Sequence, residues 1–272
     1  MADDIRVQTD SRFTYSYRVV NTCGNPSEPL QLLVAVHGNK RDDKDLLKTY
    51  VEQAGNLPSG HYVLLFPLFP VGVLGDNSDK GYKYIHEKSI RYDKLLLDMI
   101  DQLSRHDLRL QKTFSTFLLH GYSGGGQFAH RFFYLHPEKI RALFVGAPGT
   151  VTFLDNNHDW WPGTRDIKDK FDTPACLNLD VMRRVPALLA VGDHDTEKML
   201  LPRSTMERLA ASYGGHDALV EAFGHHRLER MGNLHKNWKA AGMNVSLQII
   251  PGMGHNGTGA VPYAIRFFAS VI

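Results

Sequence analysis

Six short, nearly continuous apolar runs constrain this chain more than any other feature. They cover residues 31–37 (QLLVAVH), 61–66 (HYVLLF), 116–120 (TFLLH), 140–145 (IRALFV), 186–191 (PALLAV) and 245–250 (VSLQII). Such runs suit strands buried on both faces, as in a parallel sheet covered by helices. Residues 15–20 add a further strand, closed by a turn at 21–26. Helical spacing appears between the runs. In 91–106, Leu95, Leu96, Met99, Ile100 and Leu103 share one face. Helices are also predicted over 127–135, over 229–241 with Gly242 as its stop, and over 261–272. Strands alternating with helices predict an α/β fold: a mainly parallel central sheet flanked by helices.

Residues 149–184 break this alternation. They are rich in Asp, Asn, Pro and Trp and lie between two predicted strands. They read as an excursion over the top of the sheet, a small cap insertion within a single domain spanning 1–272. A chain of 272 residues can remain one domain. Its net charge of +2 gives no basis for nucleic-acid or anionic-membrane binding. The two cysteines, Cys23 and Cys176, are read as reduced thiols. The first residues, Met1 to Arg6, are acidic and lack an apolar run, and no stretch approaches the ~18 apolar residues of a membrane span. The expectation is a cytoplasmic protein without a membrane span.

The chemistry enters at Gly121-Tyr122-Ser123-Gly124-Gly125, a G-x-S-x-G placed between the TFLLH strand and a helix. A serine on such a turn is lifted above the sheet, and the flanking glycines admit the close backbone packing it demands. The helix that follows would aim the Gly124 N–H at a developing oxyanion. The segment lacks the Gly-Lys-Ser/Thr ending of a phosphate loop.

This motif resembles the nucleophile elbow of the α/β-hydrolase superfamily, and the order of elements is similar over most of the chain. Within the superfamily, the His37-Gly38 strand end and the Gly-rich elbow look most like esterases of the feruloyl-esterase and polyhydroxybutyrate-depolymerase type. The resemblance implies the chain order Ser, acid, His. Ser123 is then the nucleophile. Gly252-Met253-Gly254-His255 is similar to the superfamily's histidine loop and points to His255 as the base. Gly192-Asp193-His194-Asp195 is similar to its G-x-x-D pattern, which prefers Asp195 to Asp193 as the acid. By position, Val36-His37-Gly38-Asn39-Lys40 supplies the second oxyanion donor, from Asn39 in preference to Lys40.

Tyr122 and His37 are expected beside the substrate, and Trp160, Trp161 and Phe153 as an aromatic wall supplied by the cap. The apolar loop 69–75 borders the substrate in similar hydrolases. His194, His225 and His226 lack metal-ligand spacing, so no metal is assigned, and the proposed chemistry calls for no cofactor. His225-His226 and the following Arg227 to Arg230 read as the start of a polar helix face. The expected partner is a small-molecule ester, cleaved through an acyl-enzyme. Amide, peptide or C–C cleavage would use the same residues, and a non-catalytic binding protein of the same fold is the reading from another class. The substrate's identity and the oligomeric state are not written in these motifs.

Overall fold

Every one of the six apolar runs becomes a strand of a single eight-stranded sheet. The computed structural model describes residues 5–23, 29–41, 43–78, 80–106, 113–172, 177–198 and 201–272. Cys176 lies outside them, so the reading of the two cysteines as reduced thiols is not addressed there. The sheet strands are β1 (Arg6–Thr9), β2 (Thr14–Asn21), β3 (Leu30–Val36), β4 (His61–Leu68), β7 (Phe117–Tyr122), β8 (Ile140–Gly146), β9 (Ala187–Gly192) and β10 (Val245–Ile250). A small hairpin, β5 (His86–Glu87) and β6 (Ile90–Arg91), stands apart. The sheet order is β1-β2-β4-β3-β7-β8-β9-β10. The pairs β1–β2 and β2–β4 are antiparallel and the remainder parallel.

The flanking helices are α1 (Asp43–Glu52), α2 (Tyr92–His106), α3 (Gly124–Leu135), α6 (Arg203–Ser212), α7 (His216–Phe223), α8 (Arg227–Ala240) and α9 (Val261–Val271). Two short ones, α4 (Ile167–Phe171) and α5 (Leu179–Met182), lie within 149–184. The central strands β7 and β9 are buried along their whole length, which is why they read as unbroken apolar runs. Leu96, Met99 and Leu103 bury the predicted face of α2.

The topology places the site. From β3 the chain steps outward to β4, yet β7, on the other side of β3, begins a march in the opposite direction through β8, β9 and β10. The strand order therefore reverses between β3 and β7. In open parallel sheets, ligands bind beyond the carboxyl ends of the strands at such a switch point. The β3 end carries Gly38 and Asn39, and the β7 end carries Ser123. Among the described residues, no helix is long and apolar enough to cross a membrane.

Candidate active site

Ser123 sits at the turn from β7 into α3 with φ 57° and ψ −115°, a conformation in which an L residue is strained. Its N–H is tied to Gly146 O at 2.8 Å, anchoring the turn to β8. The flanking glycines are obligatory for steric reasons. A Cβ on Gly121 would lie 2.1 Å from Gly125 O, and one on Gly125 would lie 2.2 Å from Val36 O.

His255 follows β10 and Asp195 follows β9, so two adjacent parallel strands deliver both to one edge. Their loops are tied by the bonds Asp193 N–Ile250 O (3.1 Å) and His194 N–Met253 O (3.0 Å). Ser123 Oγ and His255 Nε2 are 2.9 Å apart, and His255 Nδ1 and Asp195 Oδ2 are 2.6 Å apart. A neutral imidazole with its proton on Nδ1 donates to Asp195 and accepts from the serine hydroxyl. Asp193 takes no part. Its only ion contact among the described residues is to His194 at 3.9 Å.

Asp195 is almost fully buried, and its second oxygen, Oδ1, accepts from Arg227 at 2.9 Å. Burial alone pushes its carboxyl up. The hydrogen bond and charge of His255, joined by Arg227, outweigh that and hold it below its ordinary 3.8. Arg227 also holds Glu197 at 2.9 Å. Nothing in the sequence patterns singled out Arg227. One signal was present: Arg227 and Arg230 stand in the first turn of α8, where the helix dipole disfavours cations, so tertiary contacts must compensate.

The loop after β3 is set by one carbonyl. Gly38 O accepts from His37 Nδ1 (2.9 Å), Tyr82 Oη (2.9 Å) and Arg41 N (3.1 Å). In a trans peptide the N–H of the next residue points opposite to that C=O. Pinning Gly38 O therefore fixes the orientation of the Asn39 N–H. The two amides are close neighbours, since a Cβ built on Gly124 would lie 3.0 Å from Asn39 N. Gly124, as the first residue of α3, has an N–H with no carbonyl a turn behind it. Asn39 Oδ1 accepts from Lys83 Nζ, which fixes the side chain and leaves its Nδ2 as a second donor beside the backbone N–H. Lys40 is exposed beyond this point.

His37 is placed differently from expectation. It is fully buried, its Nε2 accepts from Phe69 N at 3.2 Å, and burial pushes its pKa down to about 4, so it stays neutral. It positions the loop after β3 and lines neither cleft beside Ser123. Tyr82 shares that task. Tyr82→Phe is expected to lower kcat for ester hydrolysis about tenfold with KM nearly unchanged, because the loop that carries the Asn39 N–H loses one of its anchors. Steady-state kinetics on one ester separate the two constants.

Two clefts flank Ser123. The larger, about 490 Å³, includes Tyr122, Lys40, Leu46, His255 and Thr258. The Tyr122 ring packs against His255 with centroids 5.3 Å apart, so Tyr122 does border the site. The smaller, about 210 Å³, includes Tyr84, Gln127, Thr150, Lys83, Arg227 and Arg230. Trp160, Trp161 and Phe153 line neither, which corrects the expected aromatic wall. Trp160 donates its Nε1–H to Tyr84 O at 3.0 Å and packs on Phe171, while Trp161 and Phe153 pack against Phe223. These large rings are spent here on fastening residues 153–171 to the body. A hollow of about 560 Å³ between α7 and α8 shares no residue with either cleft, so volume alone does not mark the site.

No family model and no curated protein matches this chain. Solved structures do match. Poly(aspartic acid) hydrolase-1 from Sphingomonas sp. KT-1 is 18% identical with a TM-score of 0.70, over 97% of each chain. A poly(3-hydroxybutyrate) depolymerase from Bordetella parapertussis is 18% identical with a TM-score of 0.68, over 99% of this chain and 91% of that one. A ferulic acid esterase is 16% identical with a TM-score of 0.55, over 98% and 97%. At these identities the likeness speaks for the fold. Together with the strand order and the reversal at β3–β7, it identifies this chain as an α/β-hydrolase-fold protein.

Proposed function

We propose that this protein is a serine hydrolase that cleaves a carboxylic ester, with Ser123 as nucleophile, His255 as base and Asp195 as the acid that orients it. The observation that carries this reading is the unbroken hydrogen-bond chain from Ser123 Oγ through His255 to Asp195. The Asn39 amide nitrogen supports it, since it lies beside Gly124, the residue that follows Ser123.

The steps follow from that geometry. His255 Nε2 takes the hydroxyl proton as Ser123 Oγ attacks the ester carbonyl. The carbonyl oxygen becomes an oxyanion held by the Gly124 and Asn39 N–H groups. Asp195 stabilises the imidazolium, which then gives its proton to the departing alkoxide as the C–O bond breaks. Water, deprotonated by His255, attacks the acyl-enzyme. The acid leaves and the proton returns to Ser123. A fluorophosphonate probe should label Ser123 stoichiometrically, read as a mass increase on the peptide that bears it. Ser123→Ala and His255→Ala should both abolish labelling. Labelling that persists in Ser123→Ala overturns the assignment.

A further inference from the structure

Arg131 and Arg230 are both fully buried, and the fold treats them in opposite ways. Arg131 donates to Thr152 Oγ1 (2.8 Å), Lys83 O (2.6 Å) and Thr150 Oγ1 (3.0 Å). It also faces the Tyr84 and Trp161 rings, with centroids 4.8 and 5.3 Å away. That is a satisfied structural arginine. Arg230 has no hydrogen-bond partner for Nε, Nη1 or Nη2 among the described residues. Burial, with Arg227 beside it, pushes its pKa down to about 10, which still leaves it cationic near neutrality. A buried guanidinium without an acceptor is costly, and such a group persists where a ligand completes it.

Arg230 lines the smaller cleft beside Ser123. Lys80, Lys83, Lys198 and Arg227 line it too, and no carboxylate does among the described residues. Arg227 is neutralised by Asp195 and Glu197, and Lys83 holds Asn39, but Arg230 is committed to nothing described. Which part of a substrate enters follows from His255. The base protonates the leaving group, and His255 lines the larger cleft and not this one. The leaving group therefore belongs in the larger cleft and the acyl part in the basic one.

We propose that the basic cleft binds a carboxylate on the acyl chain of the substrate, with Arg230 as its main partner, so that half-esters of dicarboxylic acids are the preferred substrates. This rests on the ester-hydrolase reading above. The planar fork of a guanidinium matches a carboxylate with two parallel N–H···O bonds. Lys80 and Lys198 at the cleft add attraction from its rim.

The test compares kcat/KM for the monoethyl esters of succinic, glutaric and adipic acids with the neutral ethyl butyrate, pentanoate and hexanoate, by titrating released acid at pH 7. The charged member of at least one matched pair should be favoured about 10- to 100-fold, the worth of one charge-assisted hydrogen-bonded pair. Arg230→Met should collapse that ratio to near one. Lys198→Ala, an exposed change, should lower it several-fold and guards against a folding defect in Arg230→Met. A second readout needs no catalysis: adipate or glutarate should raise the Tm of the wild type, but not of Arg230→Met. Neutral esters cleaved as well as charged ones overturn the carboxylate site and leave the hydrolase standing. No Ser123-dependent turnover of any ester, with dicarboxylate stabilisation lost in Arg230→Met, overturns ester chemistry and supports the anion site. Neither turnover nor stabilisation overturns both. Stabilisation by inorganic phosphate equal to that by dicarboxylate, with no ester preference, also overturns the proposal.

Discussion

Ser123→Ala is expected to lower kcat for ester hydrolysis by about 10⁶-fold, the loss seen when the nucleophile of an assembled serine machinery is removed. The effect is large because the remaining groups act through the Ser123 oxygen. His255 Nε2 loses the hydroxyl it faces at 2.9 Å, and the two amides are left to polarise a carbonyl that nothing attacks. The fold should be untouched. The only hydrogen bond of the Ser123 side chain among the described residues is to His255, and the backbone bonds Ser123 N–Gly146 O and Gln127 N–Ser123 O do not depend on Oγ. Unchanged far-UV circular dichroism and Tm, beside vanished turnover of a short p-nitrophenyl ester, is the expected pair of results. Turnover that survives within a factor of ten would move the chemistry away from the elbow.

The second large effect separates two aspartates two positions apart. Asp195→Asn is expected to lower kcat about 10⁴-fold, because an amide facing His255 Nδ1 favours the tautomer with its proton on Nε2. That tautomer cannot accept from Ser123. Asp193→Asn should stay within about threefold, because its carboxylate does not reach His255. Equal losses, or a larger one at Asp193, would refute the geometry at 2.6 Å. The same carboxyl links activity to acid stability. Asp195 titrates below its ordinary 3.8, so its contribution is full above that value and fades as pH falls through the lower folded one. The stability gap between wild type and Asp195→Asn in urea should therefore narrow below about pH 4.

The buried strands were legible because burial on both faces writes itself as an unbroken apolar run, as in β7 and β9. The edge strand β1 was not. It has only four residues, its burial alternates, and Val7 is exposed. The positions of Ser123, Asp195 and His255 were legible because each follows such a run. The proposed choice of Asp195 over Asp193 rests on contacts that the sequence does not write: the turn Asp195 N–Gly192 O at 3.1 Å and the approach of Asp195 Oδ2 to His255 Nδ1 at 2.6 Å. His37, Trp160, Trp161 and Phe153 were assigned by proximity and ring character, and neither reveals which way a side chain is buried. Arg227 and Arg230 were read as the start of a polar helix face. Their partners lie in loops far away in the chain, and no local pattern carries that information.

β10 is the outermost strand of the sheet on the side that carries His255, pairing among the described residues with β9 alone, and Ile249 is half exposed. His255, the proposed base, is thus mounted on a margin, while Ser123, the proposed nucleophile, is mounted at the centre on fully buried β7. Margins open before centres do. Mild urea should therefore fray the outer strand and silence the enzyme while its dichroism still reports an intact sheet, so that two denaturation curves for one molecule part company. Coincident curves would mean that β10 melts only with the whole.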